Sequence, residues 1–307
     1  MIGEDTEMSK PEAFAQYRGT NYLELVDEVQ RRGLYAWQEV LRIGCGPTVD
    51  GEHFIDSQIY LCAATAGYIY SDYTPTTVDY RKGSRPVLEK VVDGLRLAGL
   101  GDFEKFLWLG RFVRDLPDAR GWDLGADAQN GGTEEELIAK RVVVCNEQAR
   151  LMVILCQVAG LPARYVGHHI AGHGVTEVYV DGHWSYFDTR GRFYRKPDGE
   201  LASTWEVWQD RGIIRRQPEY VRREIHPRYL VPELEEHERV RDPYLVPERN
   251  YFNPRECTGI VNYFVADHAR FDYRREWPVS PADELRIKEL LDQRQGARRE
   301  LGMVLGH

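Results

Sequence analysis

One hairpin places a histidine beside an aspartate, and the helix before it opens on a cysteine. Asp181-Gly182 lies between two strand-like runs, Val175 to Val180 and His183 to Thr189. An Asp-Gly pair so placed predicts a two-residue turn. Val180 then faces His183, Val175 faces Asp188 and His173 faces Arg190. Side chains alternate along a strand, so residues 173, 175 and 177 share a face with 186, 188 and 190. With the strand extended back to His173, its imidazole is a diagonal neighbour of Asp188. Such neighbours lie about 7–8 Å apart at the backbone, within reach of a His–Asp hydrogen bond. The pairing depends on register, and a bulge would flip it. Upstream, Cys145, Ala149, Met152, Cys156 and Ala159 step along one helix face, and Gly160 and Pro162 stop that helix. Cys145 therefore opens a helix.

Thiol chemistry needs these three groups. A thiol becomes a good nucleophile when ionised, and a helix N-terminus and an adjacent imidazole both lower its pKa. A carboxylate on the other ring nitrogen sets the tautomer and steadies the imidazolium. The backbone N–H groups of Cys145 and Asn146 would face a developing oxyanion.

The elements around this group change character along the chain. To about residue 117 the pattern is helical. Helices are expected over Tyr22 to Ile43, Ile59 to Tyr70, Pro86 to Leu97 and Asp102 to Leu116. Residues 118–132, rich in Gly and Asp, read as a loop. Thr133 with Glu136 is a capping-box signature for a short helix, which Val142-Val143-Val144 should break. Ala163 to Ile170 reads as a strand. Residues 202–225 look helical, and 226–256 are rich in Pro and charge. There Tyr229-Leu230-Val231-Pro232-Glu233 recurs as Tyr244-Leu245-Val246-Pro247-Glu248, two copies being too few for a solenoid. Paired extended arms are expected. A last helix starts at Ser280-Pro281.

Composition narrows the function classes. The 307 residues carry 40 Lys plus Arg against 49 Asp plus Glu, a net charge of −9. That balance disfavours a general nucleic-acid binder. Five cysteines at wide spacings, with no CxxC pair, indicate free thiols in a reducing compartment rather than a disulfide framework. The polar N-terminus and the absence of a long apolar run predict a cytoplasmic protein with no membrane span.

Residues about 102–190 resemble the transglutaminase-like superfamily, a branch of the papain-like cysteine enzymes. The segments that carry the resemblance are Val144-Cys145-Asn146-Glu147-Gln148-Ala149, then Ala159-Gly160-Leu161-Pro162-Ala163-Arg164-Tyr165-Val166, then His173 through Val180, continuing by Asp181-Gly182-His183-Trp184 to Phe187-Asp188. The resemblance implies that Cys145 is the nucleophile, His173 the general base and Asp188 the acid that orients it. It also implies an extra oxyanion donor upstream, for which Trp122 and Gln129 are the candidates beside Asn146. The family often has Gly before the cysteine and an aromatic two residues after the histidine; here these are Val144 and Val175.

The expected architecture is α+β. Residues 1–101 form a helical N-terminal region, 102–200 a transglutaminase-like core with the cysteine helix on an antiparallel sheet, and 201–307 a C-terminal extension. The expected function is thiol-dependent acyl transfer on a peptide or amide bond, with hydrolysis ahead of transamidation because no feature marks an amine-acceptor site. The substrate is a peptide, protein or other amide; no cofactor, metal, nucleic acid or membrane is expected. Two alternatives stand beside this. One is an inactive binding module on the same fold. The other is a metal-dependent hydrolase using His168, His169 and His173, although the intervening glycines read as strand and loop and not as the helix a His-x-x-x-His site needs. Cys156 reads as core, Glu177 as support for the hairpin, and His183 as an exposed residue beside the turn. The pairs Arg215-Arg216, Arg222-Arg223 and Arg274-Arg275 read as solvated faces, with recognition of an acidic partner as their functional alternative.

Overall fold

The computed structural model describes residues 25–44, 58–123, 131–189, 193–216, 252, 256–262 and 280–304, with the backbone alone for Leu41, Trp122, Arg215 and 301–304. The stretch 217–251, the Arg222 and Arg274 pairs, Cys45 and Gln129 lie outside the described residues.

In chain order the elements are α1 (Glu28–Gly44), β1 (Gln58–Tyr60), α2 (Ala66–Tyr68, continuing as a wider π turn over Ile69–Tyr73), α3 (Pro86–Gly94), α4 (Asp102–Asp115), α5 (Ala119–Asp123), α6 (Glu134–Lys140) and α7 (Cys145–Val158). Then come β2 (Ala163–His168), β3 (His173–Val180), β4 (His183–Phe187), α8 (Thr204–Gln209), α9 (Gly212–Arg215), β5 (Thr258–Val261) and α10 (Pro281–Val304). The fold is α+β. Its five strands form one antiparallel sheet in the order β1-β5-β2-β3-β4.

Local chemistry accounts for several boundaries. At α1 the Asp27 carboxylate accepts the N–H groups of Val29 and Gln30, and Gln30 reaches back to the Asp27 N–H, a capping box. The expected box at α6 is present: Thr133 accepts from the Glu136 N–H, and Glu136 accepts from the Thr133 N–H at 2.7 Å. That helix ends one residue before the valine run, at Arg141, which adopts a left-handed φ of 57°. The β3–β4 turn has positive φ at both Asp181 and Gly182, the geometry that matches strand twist in a two-residue hairpin.

The apolar run from Ile59 is a correction. It begins as strand β1 and becomes helical only at Ala66. A short apolar run fits a buried strand as well as a helix, and pairing with β5 decides in favour of the strand: Ile59 lies opposite Ile260.

Helix α7 lies at the centre. Residues 147–157 are buried all round, between β2 and β3 on one side and α3, α4 and α6 on the other. The face of the sheet toward α7 presents Tyr165, Val178 and Val180, packed with Phe106, Leu109 and Val113 of α4. The opposite face presents Val166, Val175, Tyr186 and Ile260, packed with Ile59, Tyr73, Tyr194 and Phe252. Helices α1 and α10 pack together through Ala36, Val40 and Leu290. Strands from both flanks of the chain, β1 and β5, thus extend a sheet whose other end, β3 and β4, carries His173 and leads into Asp188.

Candidate active site

The observed hairpin register is the one derived from Asp181-Gly182: Val180 pairs with His183 and Thr176 with Phe187. One residue further, Asp188 turns to the face that carries His173. His173 Nε2 lies 3.2 Å from Asp188 Oδ2, and both side chains are buried.

Cys145 is the first residue of α7 and is half-buried. Its N-cap, Val144, has no side chain able to accept a hydrogen bond, and no side-chain cap is made. The first N–H groups of α7 therefore lack the cap that most helices carry, which favours an anion at this end. The Cys145 thiol shares a hydrogen bond with His173 and receives one from the Gly174 N–H.

Gly174 makes this approach possible. Its side of β3 faces α7, whereas His173 faces the other way. A Cβ at Gly174 would lie 2.8 Å from the Asn146 Cα and would also strike the Tyr165 hydroxyl. Without it the helix end rests directly on the strand, and Cys145 reaches His173 past the bare backbone. Thr176 on the same face adds a hydrogen bond of 3.2 Å to the Ala149 carbonyl, tying strand to helix.

The electrostatics follow from this geometry. Burial pushes the Cys145 thiol up, but the hydrogen bond and charge of His173, with the Gly174 N–H, bring it below its ordinary value; Asp188 opposes them. Burial pulls the His173 imidazole down, yet Asp188 and Cys145 outweigh it and raise the ring to about 9. Thiolate and imidazolium thus stabilise each other.

A buried ionic network stands behind the thiol. Arg150 of α7 lies 3.3 Å from both Glu134 and Glu147 and also donates to the Gly132 carbonyl. Glu147 accepts the Gly131 N–H at 3.2 Å and the Asn146 side-chain N–H at 3.3 Å. Arg85 closes the network on Glu134 and Glu135. These contacts hold residues 131–134 against the start of α7. Sequence reasoning missed the network; its trace was a charged pair, Glu147 and Arg150, three residues apart in an otherwise uncharged helix.

Of the remaining site residues, the Asn146 side chain is engaged by Glu147, so its backbone is the part nearest the thiol chemistry. The Trp122 backbone belongs to α5. His168 lies opposite His173 in the sheet and bonds Thr258 through Nδ1 at 3.1 Å. Burial and the neighbouring His173 hold its pKa well below the usual range. His169 packs over Gly167 and Gly259, and burial, then Arg294, lower it to about 3. Among the described residues no group of three or more His, Cys, Asp or Glu is arranged to hold a metal ion.

Glu177 does support the hairpin. Its carboxylate accepts from Arg164 at 2.8 Å, the Tyr70 hydroxyl at 2.7 Å and the Thr204 N–H at 2.7 Å. Arg164 is also stacked between Tyr70 and Trp184. His183 is half-buried, contrary to expectation, because Glu206 of α8 reaches it at 2.7 Å. Cys156 and Cys257 are wholly buried, and burial raises both thiols. Arg216 pairs with Asp210 on the surface.

The family model of the Transglutaminase-like superfamily matches residues 118–189. This segment is transglutaminase-like. It runs from the start of α5 to just beyond Asp188 and contains Cys145 and His173. It covers less than a quarter of the 307 residues, leaving α1, β1, β5 and α10 outside. No curated protein and no solved structure matches the chain. Among the described residues no helix is long and apolar enough to cross a membrane.

Proposed function

We propose that this protein is a cysteine-dependent acyl-transfer enzyme acting on an amide or peptide bond, with water as the acceptor. The observation that carries the reading is Cys145 at the uncapped start of α7, hydrogen-bonded to an imidazole whose Nε2 is held 3.2 Å from Asp188.

In this reading the Cys145 thiolate attacks the carbonyl carbon, and the backbone N–H groups at the start of α7 steady the oxyanion. Protonated His173 gives its proton to the leaving amine, the C–N bond breaks and a thioester remains on Cys145. Neutral His173 then takes a proton from water, whose oxygen attacks the thioester. The acid is released as the thiolate and imidazolium are restored. An amine in place of water gives transamidation through the same steps. Asp188 holds the ring orientation throughout. A peptide, a protein or another amide-bearing molecule is the substrate class.

Alkylation with iodoacetamide, mapped by peptide mass spectrometry, tests the reading. Cys145 is expected to react faster than half-exposed Cys62 and to lose that advantage in His173→Ala. A Cys145 no faster than Cys62 in the folded wild type would overturn the reading and favour a non-catalytic module. Addition of a primary amine during turnover of an amide substrate then separates hydrolysis from transamidation by the mass of the product.

A further inference from the structure

The turn that delivers His173 to β3 is held by residues outside the transglutaminase-like segment. It runs from His169 to Gly172, between β2 and β3. The Glu256 carboxyl, just before β5, accepts the N–H groups of Ile170 at 2.6 Å and Ala171 at 2.8 Å. Arg294 of α10 donates from Nε and Nη2 to the His169 carbonyl, at 3.0 and 2.6 Å. The His169 N–H reaches the Cys257 carbonyl at 2.8 Å, and the Gly172 N–H returns to the His168 carbonyl at 2.7 Å.

Packing reinforces these bonds. The Ile170 side chain fills the notch that Gly33 leaves in α1, where any Cβ would strike it, and Ala297 of α10 lies beside the same notch. The Arg294 guanidinium lies 4.0 Å from the centre of the Trp37 ring of α1. Gly172 has a left-handed φ of 73°, and a Cβ there would come within 2.7 Å of Arg294 Nη2.

A turn joining two strands ordinarily lies at the surface with its polar groups in water. Here a carboxyl and a guanidinium, 4% and 7% exposed, are taken out of water to meet it. Buried ionisable groups carry a desolvation cost, and their retention calls for a reason beyond stability. The position supplies one. His173 follows Gly172 directly, so displacement of the turn displaces the imidazole from the thiol. Small misplacements of reacting groups are costly in rate.

We propose that Arg294 and Glu256 are positioning residues that lock the His169–Gly172 turn and thereby hold His173 against Cys145. The inference rests on the thiol–imidazole reading above. It makes the α1–α10 pair a part of the site's machinery, although neither helix supplies a reacting group.

The test uses the full chain with Arg294→Ala, Arg294→Lys and Glu256→Gln. It reads the pH profile of Cys145 alkylation by iodoacetamide, with circular dichroism as the check on folding. Arg294→Ala is expected to slow Cys145 at neutral pH by about tenfold, the effect of one pH unit of lost thiol acidification, and to move the rising limb of the profile toward that of a free thiol. Arg294→Lys keeps a cationic donor and should recover part of the rate. Glu256→Gln keeps the size of the side chain while one oxygen becomes a donor facing an N–H, and it should move the same limb. It also keeps the question open to test should Arg294→Ala fail to fold. Folded variants with the wild-type limb and rate would overturn the proposal. Fast wild-type Cys145, slowed in His173→Ala but not in the clamp variants, would sink this inference alone. Slow wild-type Cys145 would instead sink the reading beneath it.

Discussion

Cys145 and His173 shift each other's acidity in opposite directions, and Asp188 sets the balance between them. The carboxylate raises the imidazole to about 9 against the pull of burial, so the ring stays protonated beside an acidified thiol. Activity and alkylation should therefore rise as Cys145 ionises below the ordinary thiol range. Catalysis should fall again near pH ~9 as His173 loses its proton. Asp188→Asn removes the charge that supports the imidazolium and is expected to lower kcat by at least about 100-fold, with a smaller effect on KM; steady-state kinetics on an amide substrate checks it. At this scale the meeting of His173 with Asp188 was legible because the two lie close in sequence. Asp181-Gly182 sets a register, and register sets which side chains meet. Glu134 and Arg85 were not legible as neighbours of the site, since they lie about 50 residues apart in the chain and only packing joins them.

The element that matters most is the crossing of α7 and β3. Gly174 lets the helix end rest on the strand, so Gly174→Ala should force the two apart. We expect about 1–3 kcal/mol of destabilisation from overpacking and loss of the Cys145 rate advantage in the protein that remains folded. Chemical denaturation and alkylation measure the two effects. The Arg164–Glu177 pair is a contrasting case. It is wholly buried but acts on the hairpin and α8, away from the thiol. Glu177→Ala should cost about 3–5 kcal/mol by stranding Arg164, while folded molecules keep the wild-type alkylation rate at Cys145. Helix α7 and the β3–β4 hairpin were readable from periodicity and turn residues. Strands β1 and β5 were not: each is short, and each owes its conformation to strands distant in the chain, β1 to β5 and β5 to β1 and β2.

Across the whole molecule, the flanks finish what the transglutaminase-like segment begins. β5 pairs directly with β2, and β1 pairs with β5. The turn before His173 ends in the grip of Glu256 and Arg294. The linkage between site and fold also has a pH signature. His173 has a folded pKa of about 9, above the ordinary value of ~6.5 for an unfolded chain. Its contribution to stability is therefore fully present below ~6.5 and is lost as pH rises through about 9. The lowered thiol has the opposite slope, so in a Cys145→Ala background denaturant midpoints should fall across that interval, and the fall should be smaller when His173 is also replaced by alanine. Net charge and cysteine spacing pointed to a protein with free thiols. They could not show that the flanks reach the site, because no local pattern encodes a contact between α10 and the turn after β2.

The most direct test of the central claim is the ionisation of Cys145 itself, followed by thiolate absorbance against a Cys145→Ala blank. The Cys145 thiolate is expected to form below the free-cysteine value of ~8.5, with an acidification that disappears in His173→Ala. A Cys145 that ionises at or above that value, unchanged by removal of His173, would contradict it.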